Sequence, residues 1–586
     1  MKRGAILLLS SLLLLPVFLR GDEKRMEVLF TSDLHSSADY LALYDFVARE
    51  RKEAKAKGLP FFLVDAGDIA MGSLFHTLYC SRAFELTAMG KIGYDAFTVG
   101  NHDFDFGVEP FLEMLSRGYE RAGGWDNPCR LTIANLSFAQ RGSDSLFNLY
   151  NNRYLIISKE GVKVALFGLL GRDAFECIAN STPILRVGAQ KIAAAVCEEI
   201  ERLHNPDYII ALSHSGTMWE GKERITDVAH LSFIVSGHDH EAFFRPLRIG
   251  RTIIGAAGAK GEYIGKALFE GDSLVEYKLI PLKKSALQKY ESIGSKSLEG
   301  ETPKEGGSER ETFRTWLDSS SVEVANLFYK NEGIDIFDTV AFLEKSYDTK
   351  SNLQLELPLA RHIARSYAAI AAQFVGEMPL AVLPYGTIRE GLESGAVTYG
   401  KIFEVLSLGR AEDGSYGSPL VYCYVEGRDL KSLCELNALV SRSGTEDEHL
   451  FFAGVSYSYN SCRIPLTRVT SLYVNGEPYK KDSLYPVVTD LYTARLLGRV
   501  KSSSFGLLSV TPRNEEGKEA QFIILPVKGW RAFGEYLKEN DMDKIKLAPS
   551  VRSESNRRVY LLYGGSAIFL SVLLLLFGRL RRCRRV

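Results

Sequence analysis

Seven short apolar runs punctuate the first half of the chain: EVLFTS, FFLVDAG, DAFTVG, LTIAN, VALFGLL, YIIALSH and FIVSG. Each has the length of one strand, and their nearly continuous apolar character marks strands buried on both faces. Between them, YLALYDFVARERKEAKAK and IAAAVCEEIERL carry helical periodicity, with Asp39 as the expected N-cap of the first. SKEGVKVALFG predicts a hairpin that turns at Glu160-Gly161. Strands alternating with helices imply a layered α/β domain over residues 26–283.

Polar clusters at strand ends narrow the chemistry. They read SDLHS (Asp33, His35), DAGD (Asp65, Asp68), VGNHDFDFG (Asn101, His102, Asp103, Asp105), LSHSG (His214) and SGHDH (His238, Asp239, His240). In an open α/β sheet, loops at strand ends build a site while the sheet holds them still. Imidazole nitrogens with carboxylate and amide oxygens, and no cysteine among them, suit divalent Zn, Mn, Fe, Co or Ni. D-x-H sets Asp33 and His35 on one side of an extended segment, and G-H-x-H does the same for His238 and His240. Gly67, Gly100 and Gly237 permit tight turns close to the ions. The ligands exceed what one tetrahedral ion needs, so two ions sharing a bridging carboxylate is the economical reading.

Composition sets the outer limits. The 586 residues are 46% hydrophobic and 24% charged, which fits two or three globular domains. A net charge of −1 gives no reason to expect nucleic acid as a partner. The eight cysteines include no C-x-x-C pair, and no disulfide framework can be read from them.

Residues 284–312 are polar and rich in Gly, Ser, Glu and Lys, and read as a linker. A second domain is expected over 313–550, opening on helices and continuing with short strands. Both termini are apolar. MKRGAILLLSSLLLLPVFLR has the form of a secretory signal, and its weak cleavage site leaves a signal peptide and a retained anchor over 1–21 both open. At the other end Val559 to Phe577 carries no charge; 19 such residues span about 28 Å as a helix, close to the hydrocarbon thickness. A transmembrane helix over 559–578 with a basic cytoplasmic tail over 579–586 is therefore expected. It would tether the catalytic domains to the bilayer on the periplasmic or extracellular side.

The five clusters, in this order over about 210 residues, closely resemble the pattern of the calcineurin-like metallophosphoesterases: D-x-H, G-D, G-N-H-(D/E), a later H, and G-H-x-H. The resemblance implies an α/β fold, a four-layer β-sandwich flanked by helices, followed by a smaller α+β domain. Carried over by motif, Asp33, His35 and His240 would hold one ion, Asn101, His214 and His238 the other, and Asp68 would bridge. In the branch with a G-N-H-x-F-D run, His102 faces the phosphate and Asp105 orients it. Asp103, Asp65 and Asp239 are left as structural support.

TIREGLESGAVTYGKIFEVLSLG, Thr387 to Gly409, resembles the second domain of the 5′-nucleotidase / UDP-sugar hydrolase / 2′,3′-cyclic phosphodiesterase group. There that domain binds the nucleoside between two aromatic rings and rotates to carry it to the metals. Arg389 is the residue expected to contact substrate. The chain also departs from the group: Pro384 replaces an asparagine, Leu408 stands where the first stacking phenylalanine is found, and LLGRVKSS replaces the second aromatic block. Tyr385, Tyr416 and Tyr492 are candidate replacements. The expected activity is hydrolysis of a nucleotide or related phosphate ester, a small-molecule substrate. The alternatives are a phosphodiesterase or pyrophosphohydrolase on cyclic or sugar nucleotides or envelope compounds, and a non-catalytic binding protein, which would predict eroded metal ligands.

Overall fold

The apolar strands of the first half assemble into two sheets that face each other. The computed structural model describes residues 24–121, 129–178, 181–250, 252–282, 308–349, 356–440, 449–495 and 510–554. One six-stranded sheet runs, edge to edge, Ser273–Pro281, Tyr263–Glu270, Arg25–Thr31, Phe61–Asp65, Ala96–Phe97 and Arg130–Leu131. The other runs Leu247–Ile249, Thr252–Ala256, Phe233–Gly237, Tyr208–His214, Val162–Leu170 and Leu155–Lys159. Their inner faces meet through Val28, Phe30, Phe62, Val64, Leu166, Ile210 and Phe233, all fully buried. Such burial removes apolar surface from water at roughly 25 cal/mol per Å² and is what clamps the sheets together.

Helices cover both outer faces. Helix Tyr40–Ala56 starts where expected, with the Asp39 carboxylate accepting from the Ala42 N–H at 2.8 Å. Helix Ala189–His204 packs Ala193, Val196, Cys197 and Ile200 against the second sheet. The predicted hairpin forms, with Glu160 and Gly161 both at positive φ. The central strands of each sheet run parallel, so their carboxyl ends emerge on one edge of the sandwich.

A five-stranded sheet centres the C-terminal part, in the order Leu450–Ala453, Leu380–Pro384, Leu484–Asp490, Pro419–Glu426 and Ile523–Lys528. Helices Pro358–Val375 and Gly529–Glu539 pack on it. Between the two parts lies helix Glu309–Glu332, capped by the Ser308 hydroxyl. Its first turns sit against the N-terminal part, where Tyr44 stacks on Phe313 and Phe84 on Trp316. Its last turns sit against the other, where the Phe328 ring meets the edges of Phe403 and Trp530.

One part of the expected fold class is corrected. No helix among the described residues is long and apolar enough to cross a membrane. The longest, Glu309–Glu332, has the length but carries charges along its course, including Arg314, Asp318 and Glu323. Among the described residues the fold is an α/β sandwich followed by a second domain, with no transmembrane helix, and nothing there supports the membrane-anchored location or the bilayer partner. The segments read as signal (1–21), span (559–578) and tail (579–586) lie outside the described residues, as does LLGRVKSS. Among the described residues no two cysteines form a disulfide.

Candidate metal centre and catalytic cleft

The sandwich edge gathers side chains that are far apart in sequence. Ligand atoms of Asp33, His35 and His240 all lie within 4.8 Å of one another, and so do those of Asp68, His214 and His238. His214 Nε2 stands 3.2 Å from Asp68 Oδ2 and 3.3 Å from Asn101 Oδ1, which brings Asn101 to the second group. Five of the seven residues, Asp33, His35, Asp68, His238 and His240, have φ between 49° and 91°. Non-glycine residues enter that region only where surrounding structure forces them, at about 1–3 kcal/mol each. The glycines have a steric reason: a Cβ on Gly237 would lie 3.0 Å from His214 Nδ1 and 3.1 Å from Asp33 Oδ2.

These groups fit divalent cations. His35 Nε2 and His240 Nε2 face each other at 2.9 Å, so at least one lone pair points into the site. Asp33 Oδ2 is buried and has no hydrogen-bond partner among the described residues. Burial, followed by the nearby Arg389 charge, holds His35 and His240 well below the usual imidazole range, which leaves them neutral and able to ligate. Burial pushes Asp33 up to about 6. Burial also opposes ionisation of Asp68, but the imidazoles of His214 and His102 overcome it and hold that carboxyl well below its ordinary value. His238 is raised: burial alone would lower it, and hydrogen bonding to Asp173 and Cys177 reverses the sign.

His102 stands beside the ligand set without joining it, its ring centroid 5.2 Å from that of His35. Its Nδ1 lies 2.8 Å from Asp105 Oδ2, and its backbone N–H donates to Asp68 Oδ1 at 2.8 Å. Asp103 accepts instead from the backbone N–H groups of Gly100 and Ala70, and burial raises its pKa far above the usual range. Asp65 and Asp239 likewise accept backbone N–H groups, from Gly67 and Thr217.

The C-terminal part closes the cleft from the other side. Arg389 Nη2 sits 3.3 Å from His35 Nε2, while its Nε is buried without a partner among the described residues. Lys260 ties the two sides together by bonding to Glu390 and to the Arg389 carbonyl. The Tyr492 hydroxyl is 3.3 Å from Asp105 Oδ1, a contact across 387 residues of sequence. Beside it opens a cleft of about 390 Å³ lined by Asp105, Phe106, Arg410, Tyr492 and Arg495, among others. The Arg410 guanidinium lies over the rings of Phe106 and Tyr416. Leu408 is buried, and the Tyr385 hydroxyl donates to the Thr349 carbonyl. Of the three candidate tyrosines, Tyr492 therefore lines the cleft and Tyr416 supports it from behind Arg410.

Two family models match the chain: calcineurin-like phosphoesterase over residues 26–242 and 5′-nucleotidase, C-terminal domain, over 341–499. Its N-terminal part is a calcineurin-like phosphoesterase domain. The chain is accordingly a metal-dependent phosphoester hydrolase, and the family uses divalent metals. It is 26% identical over 517 residues to a 5′-nucleotidase of Vibrio vulnificus, covering 80% of this chain and 84% of that protein. Protein UshA of Escherichia coli is 24% identical over 485 residues, with 75% and 78% covered. In fold it resembles the 5′-nucleotidase precursor of Thermus thermophilus, with a TM-score of 0.68 at 18% identity over 91% of this chain and all of the other. A calcineurin-like phosphoesterase is thus joined here to a second domain that supplies one wall of its cleft. Motif reading did not find the placement of Tyr492, Arg410 or Asp173, because none stands in a recognisable spacing; only the fold brings them to the site.

Proposed function

We propose that the chain is a 5′-nucleotidase-like phosphohydrolase that releases phosphate from nucleotides or related organic phosphate esters, with two divalent ions. Asp33, His35 and His240 would hold one ion, Asn101, His214 and His238 the other, and Asp68 would serve both. Bound there, such a pair lowers the pKa of water and withdraws charge from phosphoryl oxygens.

The observation that carries the reading is the His102–Asp105 pair beside the ligand clusters. Asp105 accepts the Nδ1 proton, which leaves Nε2 as the nitrogen that meets a phosphoryl or leaving oxygen. The backbone bond from His102 to Asp68 fixes that imidazole relative to the ligand set. Tyr492 donates to the other oxygen of Asp105, so the second domain takes part in orienting His102. Arg389 offers a guanidinium suited to phosphoryl oxygens. The cleft beyond Asp105 is where the leaving group lies.

The test is phosphate release by chelator-stripped protein, before and after reloading with Mn or Zn, from AMP and p-nitrophenyl phosphate. Release only after reloading supports the proposal. No release from either ester, nor from cyclic or sugar nucleotides, overturns it. Leu408 is buried where the group has a stacking ring, which weakens the case for a nucleotide base over another organic group; release from diesters or pyrophosphates alone would transfer the assignment to a diesterase or pyrophosphohydrolase.

A further inference from the structure

A ligating imidazole must present one nitrogen's lone pair, and it does so reliably when its other nitrogen is held. Two of the ligand histidines are held by backbone: His35 Nδ1 is 3.3 Å from the Ala70 carbonyl, and His214 Nδ1 is 2.9 Å from the Ala66 carbonyl. His238 is different. Its Nε2 lies 3.4 Å from Asp173 Oδ2, a side chain outside all five motif clusters.

The mount of Asp173 is firm. It sits on the short helix Arg172–Cys177, directly after strand Val162–Leu170. The Gly171 N–H donates to the His214 carbonyl at 2.8 Å, which joins the helix to the strand that carries another ligand. A Cβ on Gly171 would come within 2.5 Å of Ser215 Cα, so this approach depends on glycine. The Arg172 N–H donates to Glu223, and Arg186 grips the same carboxylate at 2.5 Å and 2.6 Å. Ala174 and Ile178 are buried beneath.

We propose that Asp173 is a positioning residue for the metal centre: it accepts the Nε2 proton of His238 and so commits Nδ1 to ligation. The role rests on the reading of His238 as a metal ligand. A carboxylate partner does more than fix the tautomer, because its charge raises the basicity of the ligating nitrogen. Of the held histidines it is therefore His238 whose grip can be altered by substitution, since the other two depend on main chain. Cys177, one helical turn on, also faces His238 and is the competing partner.

Protein stripped of metal is titrated with Mn(II), with free Mn(II) followed by electron paramagnetic resonance. The wild type takes up two ions. Asp173→Ala weakens one of them by roughly 10–100-fold and leaves the other unchanged, with the thermal midpoint of the metal-free protein as in the wild type. Asp173→Asn, still an acceptor but uncharged, falls between. Cys177→Ala binds as the wild type does. Equal affinities in Asp173→Ala and wild type, equal weakening at both sites, or a larger loss in Cys177→Ala each overturn the role. A wild type that binds no Mn(II) is a separate failure, which removes the metal centre itself and this role with it.

Discussion

On the metal-bearing wall of the cleft every ligand lies within four residues of a strand end; the opposite wall is assembled from segments that follow a turn, a helix and a strand, with Tyr492 in a helical turn. Asp33, Asp68, Asn101, His214 and His238 leave parallel strands of one sandwich, and their spacing to a strand end is fixed by the sheets. Arg389, Arg410 and Tyr492 come from the second domain, and each reaches the site only because the domains abut. The first wall is a property of one fold and the second of an interface. Chemistry is therefore held at the ends of sheet strands, while the group that leaves is met by side chains that a second domain supplies.

Substitutions can break this division, or sharpen it. The largest effect is expected at the metal wall: Asp68→Asn should lose bound metal and lower kcat by roughly 10³-fold or more, read by metal analysis and phosphate release. His102→Ala should keep its metal yet lose roughly 10²–10⁴-fold in kcat, since proton transfer or charge stabilisation alone is removed. An interface contribution reads smaller. Tyr492→Phe deletes the hydroxyl on Asp105 while sparing the ring, and a loss of about 3–10-fold in kcat, with metal unchanged, is expected from one hydrogen bond. A loss as large as that of His102→Ala would erase the distinction between the walls.

The smallest effect lies away from the cleft, in the second domain. His362 is buried, and burial with the charges of Arg365 and Arg361 lowers its pKa to about 4. A depressed histidine is neutral in the fold, so its contribution is complete above the unfolded pKa of 6.5 and is lost as pH falls from there toward 4. Urea unfolding should show the wild type losing about 1–3 kcal/mol over that window. His362→Leu should lose less, and the acid sensitivity should track the second domain's signal.

How much of this was legible follows the same division. D-x-H, G-N-H and G-H-x-H could be read because each ligand stands at a fixed offset from a buried strand, and the strands announce themselves by their apolar runs. The His102–Asp105 pair was expected only from the resemblance of its G-N-H-x-F-D run to one branch of the family, and the two side chains do meet at 2.8 Å. Tyr492 and Asp105 are 387 residues apart, and no local pattern couples them. Asp173 was hidden for another reason: DAFEC looks like any exposed helical turn, and only the anchoring of Gly171 to the His214 strand aims it. The membrane anchor finds no counterpart among the described residues, where no helix is long and apolar enough to cross a membrane, and the charge-free run that suggested it lies outside them.

The left-handed backbone at five ligand positions has a consequence for the choice of cation. The sheets bend these loops into their uncommon shape, so the contour is set by the strands they leave and not by which ion they hold. Exchanging one transition metal for another should then alter occupancy and rate while the loop contour stays the same. A relative that kept the same side chains on relaxed loops would have to organise them anew at each binding event.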